Sequence, residues 1–213
     1  MAQRAVEDWL REQYFDLLPD MRKVAEELEA EVRHCLLPIS HRLEKFERLI
    51  VKSRIKECES AVDALRRRQE GRTFDQDRAE LYSLKSLNDL AGVRVLVFPR
   101  SRGAEARVEL RKRFPSWTGD PVPGYDGLLP LADKYYGYCS ASEMIRGELQ
   151  VVPMLTALFW EVEHAAIYKP SPRLVDLTRR PVMQQRVSDV LKALQAFDEE
   201  FERLIRLDRL GEQ

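Results

Sequence analysis

Cysteine is scarce in this chain, and histidine equally so. Three cysteines occur in 213 residues, at Cys35, Cys58 and Cys139, and no two form a C-x-x-C pair. A sparse, odd set excludes a disulfide framework and a structural zinc site as the organising element. Excess charge of one sign is missing too. The 35 basic and 36 acidic side chains leave a net charge of −1, so no global field marks a nucleic-acid or membrane binder. No apolar run reaches membrane-spanning length. The opening residues MAQRAVEDWLREQ are charged and lack the apolar stretch of a secretory signal. A cytoplasmic protein that does not enter membranes is expected. Apolar residues make up 44% of the chain, enough to bury a core, and any anion site must come from local clustering.

What is present divides into helical flanks and a mixed centre. Met21, Val24, Ala25, Leu28, Val32 and Cys35 recur at steps of three and four and predict a helix, with Pro19-Asp20 as its entry and Pro38 as its stop. Ile39, Leu43, Phe46, Leu49 and Ile50 predict a second helix. A third is expected from about Lys56 to Gln69, ending near Gly71. Val93 to Phe98 is short, β-branched and bounded by Gly92 and Pro99, which predicts a buried strand. Residues 104–113 predict a crossover helix and 115–130, rich in proline and glycine, a loop. Tyr135 to Met154 reads as two strands around a turn at Arg146-Gly147. Leu155 to Tyr168 reads as helix, and a long amphipathic helix over about 183–207 closes the chain. This order predicts an α+β fold, a small mixed β-sheet flanked by helices. It is expected to be a single domain over 1–213, with N-terminal helices over 1–50, a core over 51–170 and a C-terminal helix over 171–213.

Four features bear on chemistry, and each has an ordinary alternative. Arg54 and Lys56 precede a helix start, where side chains and free backbone N–H groups can both meet phosphate; a solvated helix face explains the same charge run. Asp89 stands just before a buried strand, and Arg94 is the one charge inside it. Such an arginine needs a partner or an outlet to solvent, unless that strand face is simply exposed. Glu148 and Gln150 share one face of a strand, as catalytic residues or as the polar side of a half-exposed one. Paired with Asp89, Glu148 could hold Mg2+, which favours one or two carboxylates completed by substrate phosphates and water. Glu161 and His164 are three apart on a helix. No H-E-x-x-H exists to make a zinc site of them, and a structural histidine is the alternative.

In order and spacing these features resemble the RelA/SpoT synthetase family, and within it the small alarmone synthetases. The family carries R-[VI]-K-x-x-x-S, then D-[IL]-A-G-[IV]-R, G-Y-[RQ]-S, E-[IV]-Q-[IV]-R-[TS] and W-x-x-[IV]-E-H-x-x-x-Y-K. This chain reads Arg54-Ile-Lys56 with Ser60, Asp89-Leu-Ala-Gly-Val-Arg94, Gly137-Tyr-Cys-Ser140, Glu148-Leu-Gln-Val151, and Trp160-Glu-Val-Glu-His-Ala-Ala-Ile-Tyr-Lys169. The resemblance covers about residues 20–170.

It implies a nucleotidyltransferase-like fold and Mg2+-dependent transfer of pyrophosphate from ATP to the 3′-hydroxyl of a guanosine nucleotide. Asp89 would be a metal ligand and Glu148 the second carboxylate, helping to activate the hydroxyl. Arg54 and Arg94 would sandwich adenine, and Lys56 and Ser60 would hold ATP phosphates. Tyr138 would stack on the acceptor base, with Gln150 and His164 nearby. A homo-oligomer is also expected from the resemblance. The chain departs from the pattern mostly on the acceptor side. Ala64 stands for a lysine, Cys139 for arginine or glutamine, Ser142 for histidine, and Val152-Pro153 for the Arg-[TS] pair. The segment that delivers a phosphate-binding lysine is compressed to Asp133-Lys-Tyr-Tyr136. Two alternatives therefore stand beside the guanosine acceptor: a tRNA 3′ end, or a nucleotide-binding module without turnover. Alarmone hydrolysis needs a His-Asp motif, and His34, His41 and His164 offer none.

Overall fold

The structure, a computed structural model, describes residues 5–124, 129–163 and 181–211. Five strands form one mixed sheet: β1 (Arg48–Ile55), β2 (Ala91–Phe98), β3 (Thr118–Val122), β4 (Ala132–Cys139) and β5 (Ser142–Pro153), in the order β1-β2-β5-β4-β3. Only β2 and β5 run parallel; the other neighbours are antiparallel. The helices are α1 (Val6–Ser40), α2 (Cys58–Arg66), α3 (Ser101–Arg113), α4 (Met154–Glu163) and α5 (Pro181–Gly211). The expected α+β fold with a small mixed sheet is what the chain adopts. Among the described residues no helix is long and apolar enough to cross a membrane.

Strand alternation divides the sheet. Odd-numbered Val51, Val93, Val95, Val97, Leu149 and Val151 are buried together with the inner face of α1. That helix contributes Leu10, Tyr14, Leu17, Met21, Val24, Leu28, Val32 and Leu36 at steps of three and four, one continuous apolar stripe. Each fully buried leucine or valine on it is worth about 1.5–3 kcal/mol relative to exposure. This burial carries the helix through Pro19, which was expected to open it, and past Pro38, which was expected to end it. Packing outweighs the local proline penalty here.

Three further expectations are corrected. The periodic run ending at Leu49 and Ile50 does not continue as helix; it enters β1 at Arg48. Alternation of Leu49, Val51 and Ser53 against Ile50, Lys52 and Arg54 fits the two faces of an edge strand. Within 115–130, residues Thr118–Val122 form β3 despite Pro121, because an edge strand tolerates a missing donor. The β4–β5 turn lies at Ser140 and Ala141, not at Arg146-Gly147. Gly147 is inside β5, where an added Cβ would come within 2.5 Å of Leu28 Cδ1 on α1. It is there for close helix–sheet approach.

The even-numbered face is covered only in part. Leu96, Ala132 and Val152 pack under α4 with Ala157 and partly buried Trp160. Beyond them α5 seals the end of the sheet with Leu131, Val187 and Leu191. Carboxylates of α5 also cap α3: the Arg100 N–H donates to Asp198 Oδ1 at 3.2 Å and the Ser101 N–H to Glu202 Oε1 at 2.5 Å. These satisfy donors that α3 leaves free and place negative charge at its positive end. Toward the start of β2 the even face is polar, carrying Lys52, Arg54, Arg94, Lys134, Tyr136, Glu148 and Gln150.

Candidate active site

Register builds the polar face row by row, since directly paired residues point the same way. One row runs Arg54, Gly92, Glu148, Tyr136 from β1 to β4; the next runs Lys52, Arg94, Gln150, Lys134. Gly92 keeps the first row low. A Cβ there would stand 2.2 Å from the Glu148 carbonyl oxygen, so no other residue fits without parting β2 from β5.

Glu148 is the centre of this face. It is 2% exposed, a depth at which a carboxylate needs partners. Gln150 Nε2 donates to its Oε2 at 2.6 Å, and Lys134 Nζ lies 3.4 Å from its Oε1. Tyr136 stands directly opposite on β4. Burial, and then Glu148 as charge and hydrogen-bond acceptor, push the Tyr136 phenol well above its ordinary value, so it stays a donor. Gln150 Oε1 in turn accepts from Arg94 Nε at 3.1 Å, and Arg94 Nη1 reaches Glu161 of α4 at 3.3 Å. Burial, and then the nearby Arg54 charge, lower the Arg94 guanidinium from its ordinary value.

Asp89 lies at the entrance to β2 and is ion-paired with Lys56, which follows β1. Burial opposes its charge. Lys56, supported by Arg54 and Lys134, more than offsets this and holds the carboxyl below the usual aspartate range. The pair is anchored from behind, where the Lys56 N–H donates to the Leu90 carbonyl at 2.8 Å and its carbonyl accepts from the Tyr14 hydroxyl at 2.9 Å. Ser60 stands half-buried in the first turn of α2, just beyond Lys56.

Asp89, Lys56, Arg54, Arg94, Glu148 and Gln150 thus meet on one face. Tyr138 is at its rim, 52% exposed, with the Arg146 guanidinium 5.3 Å above its ring; Arg146 Nη1 also donates to Asn88 Oδ1 at 3.2 Å. His164 lies outside the described residues. Lys134 and Tyr136 were missed as site residues. The signal was alternation: both share parity with Glu148 across one register step, although their segment has no motif of its own. Ser140, inside a matching motif, points elsewhere, its hydroxyl donating to Glu27 of α1.

Among the described residues no group of three or more histidine, cysteine, aspartate or glutamate side chains could hold a metal. Two hard carboxylates, each beside a lysine, do not make an all-protein site. An ion held by them would need phosphates and water as its remaining ligands, the manner in which magnesium is usually bound.

No family model matches the chain, and no curated protein matches it by sequence. Solved structures do. The small alarmone synthetase 1 of Bacillus subtilis bound to its product pppGpp superposes with a TM-score of 0.65 at 17% identity, covering 93% of this chain and 99% of that one. The same synthetase bound to AMPCPP gives 0.62 at 16%, covering 93% and 98%. A GTP pyrophosphokinase family protein from Streptococcus pneumoniae gives 0.62 at 18%, covering 90% and 92%. The chain therefore has the fold of the small alarmone synthetases over nearly its whole length.

Proposed function

We propose that this chain is an ATP:nucleotide 3′-pyrophosphotransferase that uses Mg2+ and takes a guanosine nucleotide as acceptor. The observation that carries the reading is Glu148. It is a deeply buried carboxylate held by Gln150 and Lys134 and faced by Tyr136, on the same sheet face as the Lys56–Asp89 pair. The fold in which this occurs holds pppGpp and AMPCPP in a solved example.

The chemistry asks for positioning and charge neutralisation more than for a covalent nucleophile. Arg54 and Arg94, diagonal neighbours on β1 and β2, present planar cations that can stack on both sides of adenine. Lys56 and Ser60 face the donor phosphates at the start of α2. Glu148 accepts the proton of the acceptor 3′-hydroxyl. The 3′-oxygen bonds to the β-phosphorus of ATP as the bond from that phosphorus to the α–β bridging oxygen breaks, and AMP leaves. Lys134 and the Tyr136 hydroxyl give Glu148 and the incoming phosphates their positive surroundings. Asp89 and Glu148 would hold a magnesium ion, which neutralises the charge that develops on the transferred group.

The test is incubation with labelled ATP and magnesium plus GDP, GTP or tRNA. AMP release matched by a 3′-pyrophosphorylated guanosine nucleotide is expected. Labelled tRNA instead would move the acceptor to RNA. No product above an Asp89→Ala control with any acceptor would reduce the chain to a binding module.

A further inference from the structure

Family resemblance puts Gln150 near the acceptor base, but its amide is engaged elsewhere. The side chain is 3% exposed. Its Nε2 donates to Glu148 Oε2 at 2.6 Å, and its Oε1 accepts from Arg94 Nε at 3.1 Å. The orientation is chemically forced. A flipped amide would set NH2 against a guanidinium and a carbonyl against a carboxylate. Glutamine suits this place because it has one end for each partner. A carboxylate would meet Glu148, and an ammonium would meet Arg94, with like charge.

Resting on the pyrophosphotransferase reading above, we propose that Gln150 is a positioning residue rather than an acceptor contact. It ties the adenine-facing Arg94 to the proton-accepting Glu148, fixing both at once. Among the described residues Arg94 is otherwise steadied at its tip, through Nη1 and the largely exposed Glu161. Gln150 sets the plane of the guanidinium at Nε, nearer the chain. At its other end it decides where the Glu148 carboxylate points. The two halves of the reaction thereby share one brace of Glu161, Arg94, Gln150 and Glu148 across α4, β2 and β5.

Two substitutions separate the two ends. Gln150→Met keeps length and removes both hydrogen bonds. Affinity for a non-hydrolysable ATP analogue should fall about 3–10-fold and kcat about 10–100-fold, the range for a supporting hydrogen bond behind a reacting group. Affinity for GDP should stay within about twofold, since Gln150 touches no acceptor in this scheme. Gln150→Glu keeps an acceptor for Arg94 but repels Glu148. It should leave ATP-analogue affinity nearly unchanged while kcat falls at least as far. On donor affinity, Gln150→Met added to Arg94→Lys should cost little more than Arg94→Lys alone, because both break one link.

Exchange of the Arg94 Nε–H proton with solvent, followed by NMR in the nucleotide-free protein, gives a readout independent of turnover. It should be slow in the parent and in Gln150→Glu, and fast in Gln150→Met. Gln150→Glu, nearly isosteric, carries the test if the methionine variant does not fold. A tenfold loss of GDP affinity in Gln150→Met with donor affinity intact would overturn the proposal. So would Arg94 Nε–H exchange as fast in the parent as in that variant. A parent protein without turnover would overturn the pyrophosphotransferase reading instead, and the exchange and donor-affinity measurements would still decide the role of Gln150.

Discussion

The two ends of the polar sheet face are built differently. Around β1 and β2 the central groups are tied together: Lys56 to Asp89, Arg94 to Gln150 and Glu161, and Gln150 onward to Glu148. At the rim near the β4–β5 turn, Tyr138 stands half-exposed, with Arg146 stacked over it and braced by Asn88. The first region is a preorganised cradle whose geometry exists without ligand. The second is an open platform, exposed to solvent. Matching motif residues concentrate in the first region, and of the departures from the family pattern Cys139 and Ser142 fall at the second. A site of this kind can keep its donor chemistry while its acceptor changes.

The strongest way to break this contrast is at the carboxylates. Asp89→Asn and Glu148→Gln should each lower pyrophosphate transfer on the order of 10³-fold, as loss of charge-stabilising groups does. Chelating magnesium with excess EDTA should abolish transfer in the parent. Product formation from labelled ATP measures all three, and retained turnover in either variant would remove that residue from the chemistry.

Gly92→Ala tests the closeness of β2 to β5 beneath the site. With a Cβ forced to 2.2 Å from the Glu148 carbonyl oxygen, the strands must shift. A loss of about 2 kcal/mol or more in urea unfolding is expected, together with lost turnover.

Stacking residues sharpen the comparison. Arg94→Lys keeps the charge and loses the plane, so ATP-analogue affinity should weaken roughly 3–30-fold by calorimetry, with GDP affinity unchanged. Tyr138→Ala should do the reverse, weakening the acceptor about tenfold and sparing the donor. Because Tyr138 is half-exposed, its loss should change stability by less than about 0.5 kcal/mol. If Tyr138→Ala weakens the donor instead, the division between cradle and platform fails.

The smallest effect concerns the support of the edge strand. Hydrogen bonds from Ser53 and Arg33 hold the Glu29 carboxyl below the usual glutamate range, and the Ser53 N–H contact at 3.1 Å pins β1 to α1. A depressed folded-state value means that this stability is present above the unfolded glutamate range and is lost as pH falls through the folded value. Glu29→Gln should therefore be slightly less stable than the parent at neutral pH. The two melting curves should converge in acid.

Much of this was legible in the residues. The β-branched run at 93–98 announced β2, the amphipathic repeat announced the inner face of α1, and Asp89 and Arg94 stood out by their position around that strand. The errors share one physical cause: a local signal was overruled by a neighbour distant in sequence. Pro19 reads as a boundary until the stripe from Leu10 to Leu36 is seen buried along the sheet. Pro121 reads as loop until Thr118–Val122 is seen on an edge, where its missing N–H costs little. Gly147 reads as a turn until Leu28 is found against it.

By itself the sequence determined which residues could share a strand face, because side chains alternate with a period of two and the apolar set must go to the core. Glu148 and Gln150 were bound to point together, and Asp89 to stand at a strand entrance. Only the tertiary structure decided what they meet. Pairing β4 with β5 set Lys134 and Tyr136 beside Glu148, and pairing β2 with β5 brought Arg94 to Gln150. Those contacts depend on register between strands far apart in the chain, which no single strand encodes.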